Sequence, residues 1–242
     1  MTQPLYAVGD VHGQKSEFDK VLDQIAADGG PEAEIIFLGD YVDRGPDSRG
    51  VIQALMDGVA GGRPWHVLRG NHDRMFCRFL RQADQHDANI LSGKGWLHPA
   101  LGGMATLASY GVEGVEDGDI AAIHAAARDA VPEAHVDFLA SRDLTLERDG
   151  KLFVHACIRP GVPLSAQDEE DLVWIRGPFL EFEEAHPWLV IHGHTALEDH
   201  THFGNRVDLD GGAGYGRPLH AAVIEGDSLW SLKDDGRQPL VP

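Results

Sequence analysis

Residues 34–45 read EIIFLGDYVDRG, an apolar run that ends in a glycine and an aspartate and continues into a polar turn. The same order occurs in LYAVGDVHG over residues 5–13 and in WHVLRGNHD over residues 65–73. Short apolar runs bounded by turn residues are typical of buried strands. Segments with helical spacing of apolar residues follow the three runs, over 14–27, 48–59 and 73–80. Strand, polar loop and helix, repeated three times, predict parallel βαβ units and an α/β fold.

The second half of the chain returns to strand patterns after a stretch of different character. Residues from about 82 to 141 are rich in Ala, Gly and Asp and have broken helical patterns, which predicts a largely helical cap. Turn signals at Asp149-Gly150 and over 225–228 predict antiparallel hairpins. The expected strands are 144–147, 152–155, 188–192, 206–209, 219–224 and 229–233. We therefore expect one domain over residues 1–242, with the cap inserted at about 82–141.

The composition restricts the partners of the chain. Its formal net charge is −19, from 39 acidic and 20 basic residues. This balance argues against nucleic-acid binding, which needs a basic surface, and against docking on an anionic membrane. Two cysteines predict no disulfide framework. The segment MTQPLYAVGD lacks a basic stretch followed by an apolar run, so a reducing cytoplasm is the expected location.

Polar side chains with metal-ligand chemistry stand where the predicted strands end. The set contains two carboxylates, three imidazoles and one amide, namely Asp10, His12, Asp40, Asn71, His155 and His194. In parallel sheets, ligands bind beyond the carboxyl ends of the strands. A mixed nitrogen and oxygen set suits divalent ions such as Mn, Fe or Zn. The sequence therefore predicts a metal site at this edge.

Five motifs occur in a fixed order along the chain. They are GDVHG at 9–13, GDYVDRG at 39–45, RGNHD at 69–73, a single histidine on a strand at 155, and GHT at 193–195. This order resembles the phosphoprotein phosphatase branch of the calcineurin-like metallophosphoesterases. The resemblance extends from Gly9 to about Ala213 and includes DLVWIR at 171–176 and VDLDGGA at 207–213. It implies two mixed β-sheets packed as a sandwich between helices, with metals at one sheet edge.

The resemblance also implies two divalent metal ions per chain, with Mn²⁺ expected first and Fe or Zn as alternatives. The implied ligands are Asp10 and His12 for the first ion, Asp40 for both, and Asn71, His155 and His194 for the second. Ions about 3.5–4 Å apart can share one water and lower its pKa toward neutrality. In-line attack of the bridging hydroxide on phosphorus is therefore the expected reaction.

Four further residues match the catalytic positions of the family. The resemblance implies that His72 is the general acid and that Asp43 orients it. Arg44 and Arg176 match the arginines that bind the phosphoryl oxygens. A guanidinium group suits this role because its forked donors match the geometry of a phosphate. A seryl or threonyl alkoxide is a poor leaving group, so a proton donor is useful.

Other histidines leave alternatives. His192 and His194 are two residues apart and either could face a metal, but the GHT match favours His194. His192 is then expected to be packed or to support a ligand. Some other branches have a second histidine where this chain has Ala196, which favours the phosphatase branch. His200 and His202 lie in a polar stretch and are expected to be solvated.

The motifs are compatible with more than one function. A serine/threonine-type protein phosphatase is the leading hypothesis, with a phosphoprotein or small phosphoester as substrate. A symmetrical dinucleoside polyphosphate hydrolase shares the same metal core, and a catalytically silent metal-binding interaction module is the third possibility. A polyphosphate hydrolase should line its cleft with additional basic and aromatic residues. The predicted cap and its approach offer Arg74, Arg78, Arg81, Lys94 and Trp96.

Overall fold

A computed structural model describes residues 3–113 and 119–242 of the chain, and its strands form two mixed sheets. The strands of the first sheet are β1 (Leu5–Val8), β2 (Glu34–Phe37), β3 (Trp65–Val67), β9 (Ala221–Glu225), β10 (Ser228–Lys233) and β11 (Gly236–Pro239). Their order is β11-β10-β9-β1-β2-β3. The first three strands of the chain pair in parallel, and β9 joins β1 antiparallel, with Leu5 opposite Ile224.

The second sheet is built from the later part of the chain. Its strands are β4 (Thr145–Arg148), β5 (Lys151–Val154), β6 (Leu189–His192), β7 (Thr201–His202) and β8 (Arg206–Asp208). Their order is β4-β5-β6-β8-β7, with parallel pairing in the centre and antiparallel pairing at both edges. The carboxyl ends of β5 and β6 therefore meet at one edge of this sheet, as those of β1, β2 and β3 do in the first.

Eight α-helices surround the sheets. They are α1 (Lys15–Gly29), α2 (Ser48–Ala60), α3 (Asn71–Gln82), α4 (Gly103–Ser109), α5 (Ile120–Ala130), α6 (Glu133–Ala140), α7 (Glu169–Trp174) and α8 (Gly177–Leu180) within the described residues. Short 3-10 turns occupy Leu164–Ala166 and Ala213–Tyr215. Within residues 3–113 and 119–242, none of the helices combines the length and apolarity that a membrane crossing requires.

The alternation of side chains along β1 shows how the layers pack. Tyr6 and Val8 are buried in a cluster with apolar residues of the helices α1, α2 and α3. Leu5 and Ala7 belong instead to a cluster that includes Phe153 of the second sheet. Successive residues of a strand point to opposite faces, so one face of the first sheet packs on helices and the other on the second sheet.

The outer face of the second sheet is covered as well. Leu152 and Val154, which flank Phe153 on β5, pack in a third cluster with Phe179 of α8 and Leu172 of α7. The molecule therefore consists of helices, sheet, sheet and helices. This arrangement confirms the predicted fold class of two mixed sheets packed as a sandwich between helices.

The helix α3 begins earlier than the sequence pattern predicts. It starts at Asn71 rather than Asp73, so Asn71 and His72 lie on its first turn. The carboxylate of Asp73 accepts a hydrogen bond from the Gly70 amide at 2.9 Å, which satisfies a donor at the start of the helix. Two strands, β7 and β11, are absent from the prediction. Both pair at a sheet edge and are short or polar, so their sequences have little strand pattern.

The stretch from 82 to 141 contains α4, α5 and α6 where the sequence predicts a largely helical cap. The helix α4 packs on α2, while α5 and α6 pack on α3. Residues 114–118 of this stretch lie outside the described residues. The division of the chain into one domain with an inserted cap stays a prediction.

Candidate active site

The ends of the parallel strands open into a cleft of about 550 Å³. Eight of the ten predicted site residues line it, namely Asp10, His12, Asp40, Arg44, Asn71, His72, Arg176 and His194. The other two, Asp43 and His155, are fully buried behind it. His155 contacts Asn71, and Asp43 contacts His72. The fold thus brings all ten side chains to one place.

The first group of candidate ligands centres on His12. Its Nε2 lies 3.8 Å from Asp10 Oδ2 and 3.7 Å from Asp40 Oδ2. Its Nδ1 lies 2.8 Å from the Val42 carbonyl, which can only accept, so Nδ1 carries the proton. The lone pair of Nε2 is then directed toward the carboxylates, where a cation would need it. Arg44 Nη1 donates to that lone pair at 2.7 Å, and a cation bound there would replace this contact.

The second group lies on the other side of Asp40. His155 Nε2 lies 3.5 Å from Asp40 Oδ2 and 2.9 Å from Asn71 Oδ1. Its Nδ1 lies 3.1 Å from the Leu38 carbonyl, which again leaves the lone pair of Nε2 directed toward Asp40 and Asn71. The ring of His194 lies 5.1 Å from that of His155. The buried His194 Nε2 has no hydrogen-bond partner among the described residues. A buried imidazole nitrogen without a hydrogen-bond partner suits a metal ligand.

Asp40 belongs to both groups. Its ligand atom lies within 4.8 Å of those of His12 and His72 on one side, and of His155 and His194 on the other. His72 thus lies close enough to join the first group, although the resemblance gives it the role of the acid. Two sets of nitrogen and oxygen donors that share one carboxylate fit a pair of divalent ions.

The electrostatics of the site also favour bound cations. Burial raises the pKa of both Asp10 and Asp40 well above the usual value, and neighbouring carboxylates raise it further. Burial lowers the pKa of His12 and His194, and lowers that of His155 to about 3. Neutral imidazoles can donate their lone pairs to metals. Positive charge between the carboxylates would stabilise their ionised forms.

The backbone of the site is held in an unusual conformation. Of the seven non-glycine residues with positive φ in the described chain, five are predicted site residues: His12, Asp40, Asp43, Arg44 and His194. A positive φ at a non-glycine residue raises the conformational free energy by about 1–3 kcal/mol. It persists only where the surrounding structure enforces it. Asp73 supplies part of that enforcement, because its carboxylate accepts from the amides of Asp40 at 2.8 Å and Tyr41 at 2.9 Å.

Gly70, which follows β3 and directly precedes α3, has no room for a side chain. A Cβ atom at this position would lie 2.1 Å from Asp40 Oδ1. The same oxygen accepts a hydrogen bond from the amide of His72 at 2.9 Å. Only glycine therefore allows the first turn of α3 to approach the shared carboxylate this closely.

His72 and Asp43 form a buried pair. His72 Nδ1 lies 2.5 Å from Asp43 Oδ2, and its Nε2 lies 3.3 Å from Arg44 Nη2 in the cleft. Burial, followed by Arg44 and Arg176, lowers the pKa of His72. Burial raises the pKa of Asp43 to about 7, although hydrogen bonds from Thr106 and Trp96 oppose that rise.

Arg44 and Arg176 face the cleft without carboxylate partners among the described residues. Arg176 Nη2 donates to the His194 carbonyl at 3.2 Å, which fixes the guanidinium group at the cleft wall. Arg44 Nε is buried and has no partner within the described part of the chain. These donors are available to an anionic ligand.

Two further histidines, His192 and His200, are buried outside the candidate ligand groups. His192 is fully buried, packs edge-on against Phe179, and belongs to neither candidate ligand group. His200 is also buried, contrary to the prediction that it is solvated, and its ring lies 6.1 Å from that of His220, which directly precedes β9. Its Nδ1 lies 3.1 Å from Ser231 Oγ.

Sequence reasoning missed several residues of the site. Trp96 and Thr106 donate to Asp43, and Trp174, Tyr215 and Arg217 line the cleft. None of the basic and aromatic residues considered in the predicted approach and cap, Arg74, Arg78, Arg81, Lys94 and Trp96, lines it within the described structure. Trp174 lies within the family segment DLVWIR, and Tyr215 follows the segment VDLDGGA by two residues. These positions were the only signal in the sequence that could have indicated them.

The profile of the calcineurin-like phosphoesterase family matches residues 3–215, which is most of the chain. The chain belongs to that family. The predicted family resemblance is therefore confirmed, and the ten residues described above all lie within the matched range. This family membership is consistent with the two candidate ligand groups that share Asp40.

Curated relatives differ in name and in how much of them is matched. A symmetrical bis(5'-nucleosyl)-tetraphosphatase of Janthinobacterium sp. is 30% identical over 155 residues, which is 64% of this chain and 44% of the relative. A Caenorhabditis elegans protein, named provisionally as a serine/threonine-protein phosphatase, is 35% identical over 71 residues, or 29% of this chain and 15% of the relative. The chain thus spans less than half the length of these relatives.

Solved structures agree on the fold. A protein named provisionally as a diadenosine tetraphosphatase has a TM-score of 0.67 at 19% identity, covering 100% of this chain and 95% of that one. A cold-active protein-tyrosine phosphatase of a psychrophilic Shewanella species has a TM-score of 0.65 at 16% identity, with coverage of 100% and 81%. At these identities the similarity establishes the shared fold.

Proposed function

We propose that the protein is a metal-dependent phosphoester hydrolase. The observation that carries the proposal is the position of Asp40, whose Oδ2 lies 3.7 Å from His12 Nε2 and 3.5 Å from His155 Nε2. A carboxylate shared by two ligand groups allows two cations to lie side by side. Paired cations of this kind suit displacement at phosphorus, because they stabilise both the entering and the leaving oxygen.

The proposed assignment of ligands to the two ions is the one that the family resemblance implies. They are Asp10 and His12 for one ion, Asp40 for both, and Asn71, His155 and His194 for the other. When bound, such ions supply Lewis-acid stabilisation of phosphoryl oxygens and make water more acidic. Mn²⁺ is the proposed ion, with Fe or Zn as alternatives, since the donors are imidazoles and oxygens.

Arg44 and Arg176 are proposed to bind the phosphoryl group that reacts. Both guanidinium groups line the cleft, and neither is neutralised by a carboxylate of the described chain. Two forks of N–H donors can hold the equatorial oxygens of phosphorus while the entering and leaving oxygens stay in line. The overall charge of −19 makes these unpaired cations more significant for binding an anion.

His72 is proposed to protonate the leaving group. As the oxygen of water bonds to phosphorus, that water releases one proton to solvent. The bond to the leaving oxygen breaks, its electron pair stays on that oxygen, and the oxygen takes the proton from His72 Nε2. Burial first, and then Arg44 and Arg176, lower the pKa of His72. A phosphate dianion between the two arginines would offset their part of the shift and favour the protonated imidazole. Asp43 holds the ring through Nδ1 at 2.5 Å and stabilises its positive charge.

Among substrates, we place symmetrical dinucleoside polyphosphates first. The relative with that activity in its name aligns over 155 residues, whereas the phosphatase relative aligns over 71. A third arginine, Arg217, lines the cleft in addition to the two that a single phosphoryl group requires. This residue meets the expectation that a polyphosphate hydrolase has further basic residues at its cleft.

A serine/threonine-type protein phosphatase, favoured by the sequence alone, is the second candidate. It is supported by the pair of Arg44 and Arg176, which suffices for one phosphoryl group, together with His72 as donor to a poor leaving group. A catalytically silent module is less consistent with the site, because every position expected for metal, phosphate and acid is filled and faces or adjoins one cleft.

A substrate panel with purified protein and Mn²⁺ tests the proposal. We expect hydrolysis of an aryl phosphate, a phosphoserine peptide and diadenosine tetraphosphate, with kcat/KM highest for the dinucleotide. A preference for the phosphopeptide would favour the second candidate. If none of the three substrates is hydrolysed with Mn²⁺, Fe²⁺ or Zn²⁺, while His72→Ala binds the metals as the parent does, the hydrolase assignment is wrong.

A further inference from the structure

The cleft is larger than the reacting phosphoryl group needs. Its volume of about 550 Å³ lies in the range of cavities that enclose whole small-molecule ligands. Beyond the candidate metal and phosphate residues, its walls include Leu101, Trp174, Tyr215 and Arg217. Part of the substrate other than the reacting group therefore has room inside the cleft and has apolar, aromatic and cationic side chains to contact.

Arg217 is anchored at this wall through one hydrogen bond, and the other N–H donors of its guanidinium group are available to a ligand. Its Nη1 donates to the Leu197 carbonyl at 2.8 Å, and no carboxylate of the described residues forms an ion pair with it. Asp210 also lines the cleft, and its Oδ1 is occupied by the Gly212 amide at 2.9 Å. The cleft also contains Asp10 and Asp40, which are assigned to the cations, and Arg44 and Arg176, which are assigned to the reacting phosphate. Arg217 is therefore the arginine that remains for a further anionic group.

Tyr215 presents an aromatic face beside the same wall. Its side chain is 65% exposed, which is unusual for a large ring at a cleft. The Arg44 guanidinium lies 4.8 Å from the ring centroid, so the ring adjoins the proposed phosphate position. The preceding Gly214 fixes this placement, because a Cβ there would lie 2.5 Å from His12 Cδ2 and 2.9 Å from Arg44 Nη1.

We propose that Tyr215 and Arg217 form a subsite for the part of the substrate beyond the reacting phosphate. Arg217 would bind a second phosphoryl group joined to the first, and Tyr215 would stack on a purine or other planar base. The subsite rests on the proposed hydrolase activity and specifies its substrate class as a nucleoside polyphosphate. A phosphopeptide has one phosphoryl group and a neutral backbone near it, so it would use neither feature.

The experiment compares kcat/KM for diadenosine tetraphosphate with kcat/KM for p-nitrophenyl phosphate in the Mn²⁺-loaded protein. We expect Arg217→Gln and Tyr215→Leu each to lower the ratio of the dinucleotide value to the aryl phosphate value by about 10-fold. A loss of this size corresponds to the free energy of one stacked base or one hydrogen bond to a charged group. Arg217→Lys and Tyr215→Phe should recover most of the ratio, because they retain the charge and the ring. The exposed Arg128→Gln and Phe203→Leu are the matched controls and should keep the parent ratio.

Inhibition by ADP relative to inorganic phosphate gives a second measurement that does not depend on turnover of the dinucleotide. The ratio of the inhibition constant of inorganic phosphate to that of ADP should fall about 10-fold in Arg217→Gln and in Tyr215→Leu. An unchanged ratio in both assays, or equal losses on both substrates, would overturn the subsite. A parent protein that cleaves the aryl phosphate but prefers neither the dinucleotide nor ADP would also overturn it, while leaving the hydrolase activity intact.

Discussion

Trp96 Nε1 donates a hydrogen bond to Asp43 Oδ2 at 2.8 Å, although the two residues are 53 positions apart. Thr106 Oγ1 donates to the other oxygen, Oδ1, at 2.7 Å. His72 Nδ1 shares Oδ2 with Trp96. Both donors come from the stretch between α3 and β4, and neither lines the cleft. Under the proposed function, this stretch supports Asp43, which in turn holds the proposed acid His72.

The first prediction concerns these two supports. Thr106→Val keeps the shape of the side chain and removes its hydroxyl, so Asp43 loses a hydrogen bond that opposes the rise of its pKa. A less ionised Asp43 would hold His72 less well. We expect kcat to fall about 10-fold with KM little changed, for both Thr106→Val and Trp96→Phe. Thr145→Val on the edge strand β4 is the control. A change confined to KM would contradict this role.

The second prediction concerns a network that joins α3 to α7. Arg74 donates to both oxygens of Glu170, at 2.7 and 2.9 Å, and to Asp87 at 3.1 Å. The helix α7 leads directly to Arg176. We expect Arg74→Gln to raise KM several-fold more than it lowers kcat, because Arg176, which is proposed to bind phosphate, loses its support. The free energy of unfolding should fall by about 1–3 kcal/mol.

Urea unfolding and steady-state kinetics on one preparation check this second prediction. Arg81→Gln is the matched control, since the ion pair of Arg81 with Asp137 is exposed and should contribute at most about 1 kcal/mol. Adding Glu170→Gln to Arg74→Gln should cause little further rise in KM. Additive effects of the two substitutions would show that they do not act through one contact.

The third prediction is a loss of stability in acid that is traceable to His200. Burial lowers the pKa of His200 to about 3, with His220 as a further cause, whereas an unfolded histidine titrates near 6.5. The unfolded state therefore binds the proton first, and stability falls as the pH decreases from about 6.5 toward 3. Between pH 7 and pH 5 the loss is about 2 kcal/mol.

Thermal or urea unfolding in EDTA at pH 7 and pH 5 measures that loss. His200→Gln keeps a polar side chain near Ser231 and cannot take up the proton, so the difference in stability between the two pH values should shrink by about 2 kcal/mol. His98→Gln, at an exposed position, should keep the parent difference. Equal acid sensitivity of the parent and His200→Gln would show that His200 titrates normally in the folded protein.

The local sequence was sufficient to predict those site residues that follow the strand ends. Asp10 and Asp40 follow short apolar runs, and the parallel pairing of β1 with β2 places both at one edge. No comparable rule applies to Trp96, whose indole reaches Asp43 only through the packing of a long loop. His200 likewise contacts Ser231, which lies 31 positions further along the chain, and no local pattern predicts that contact. Contacts made by tertiary packing were therefore beyond prediction from motifs.

The last prediction tests whether Asp40 is shared by two ions. In the metal-free protein, burial and the nearby Asp73 carboxylate raise the pKa of Asp40, so its charge is costly. Asp40→Asn removes that charge and retains an oxygen for the His72 amide. It should therefore be at least as stable as the parent in EDTA, yet lose stabilisation by Mn²⁺, which for the parent is about 2.7 kcal/mol at 100 times Kd.

Metal analysis should find two Mn²⁺ per parent chain and fewer than one in Asp40→Asn. Asp47→Asn, at the start of α2, should bind as the parent does. Two Mn²⁺ ions retained by Asp40→Asn would show that neither group depends on this carboxylate, because an amide oxygen cannot replace a charge between two cations.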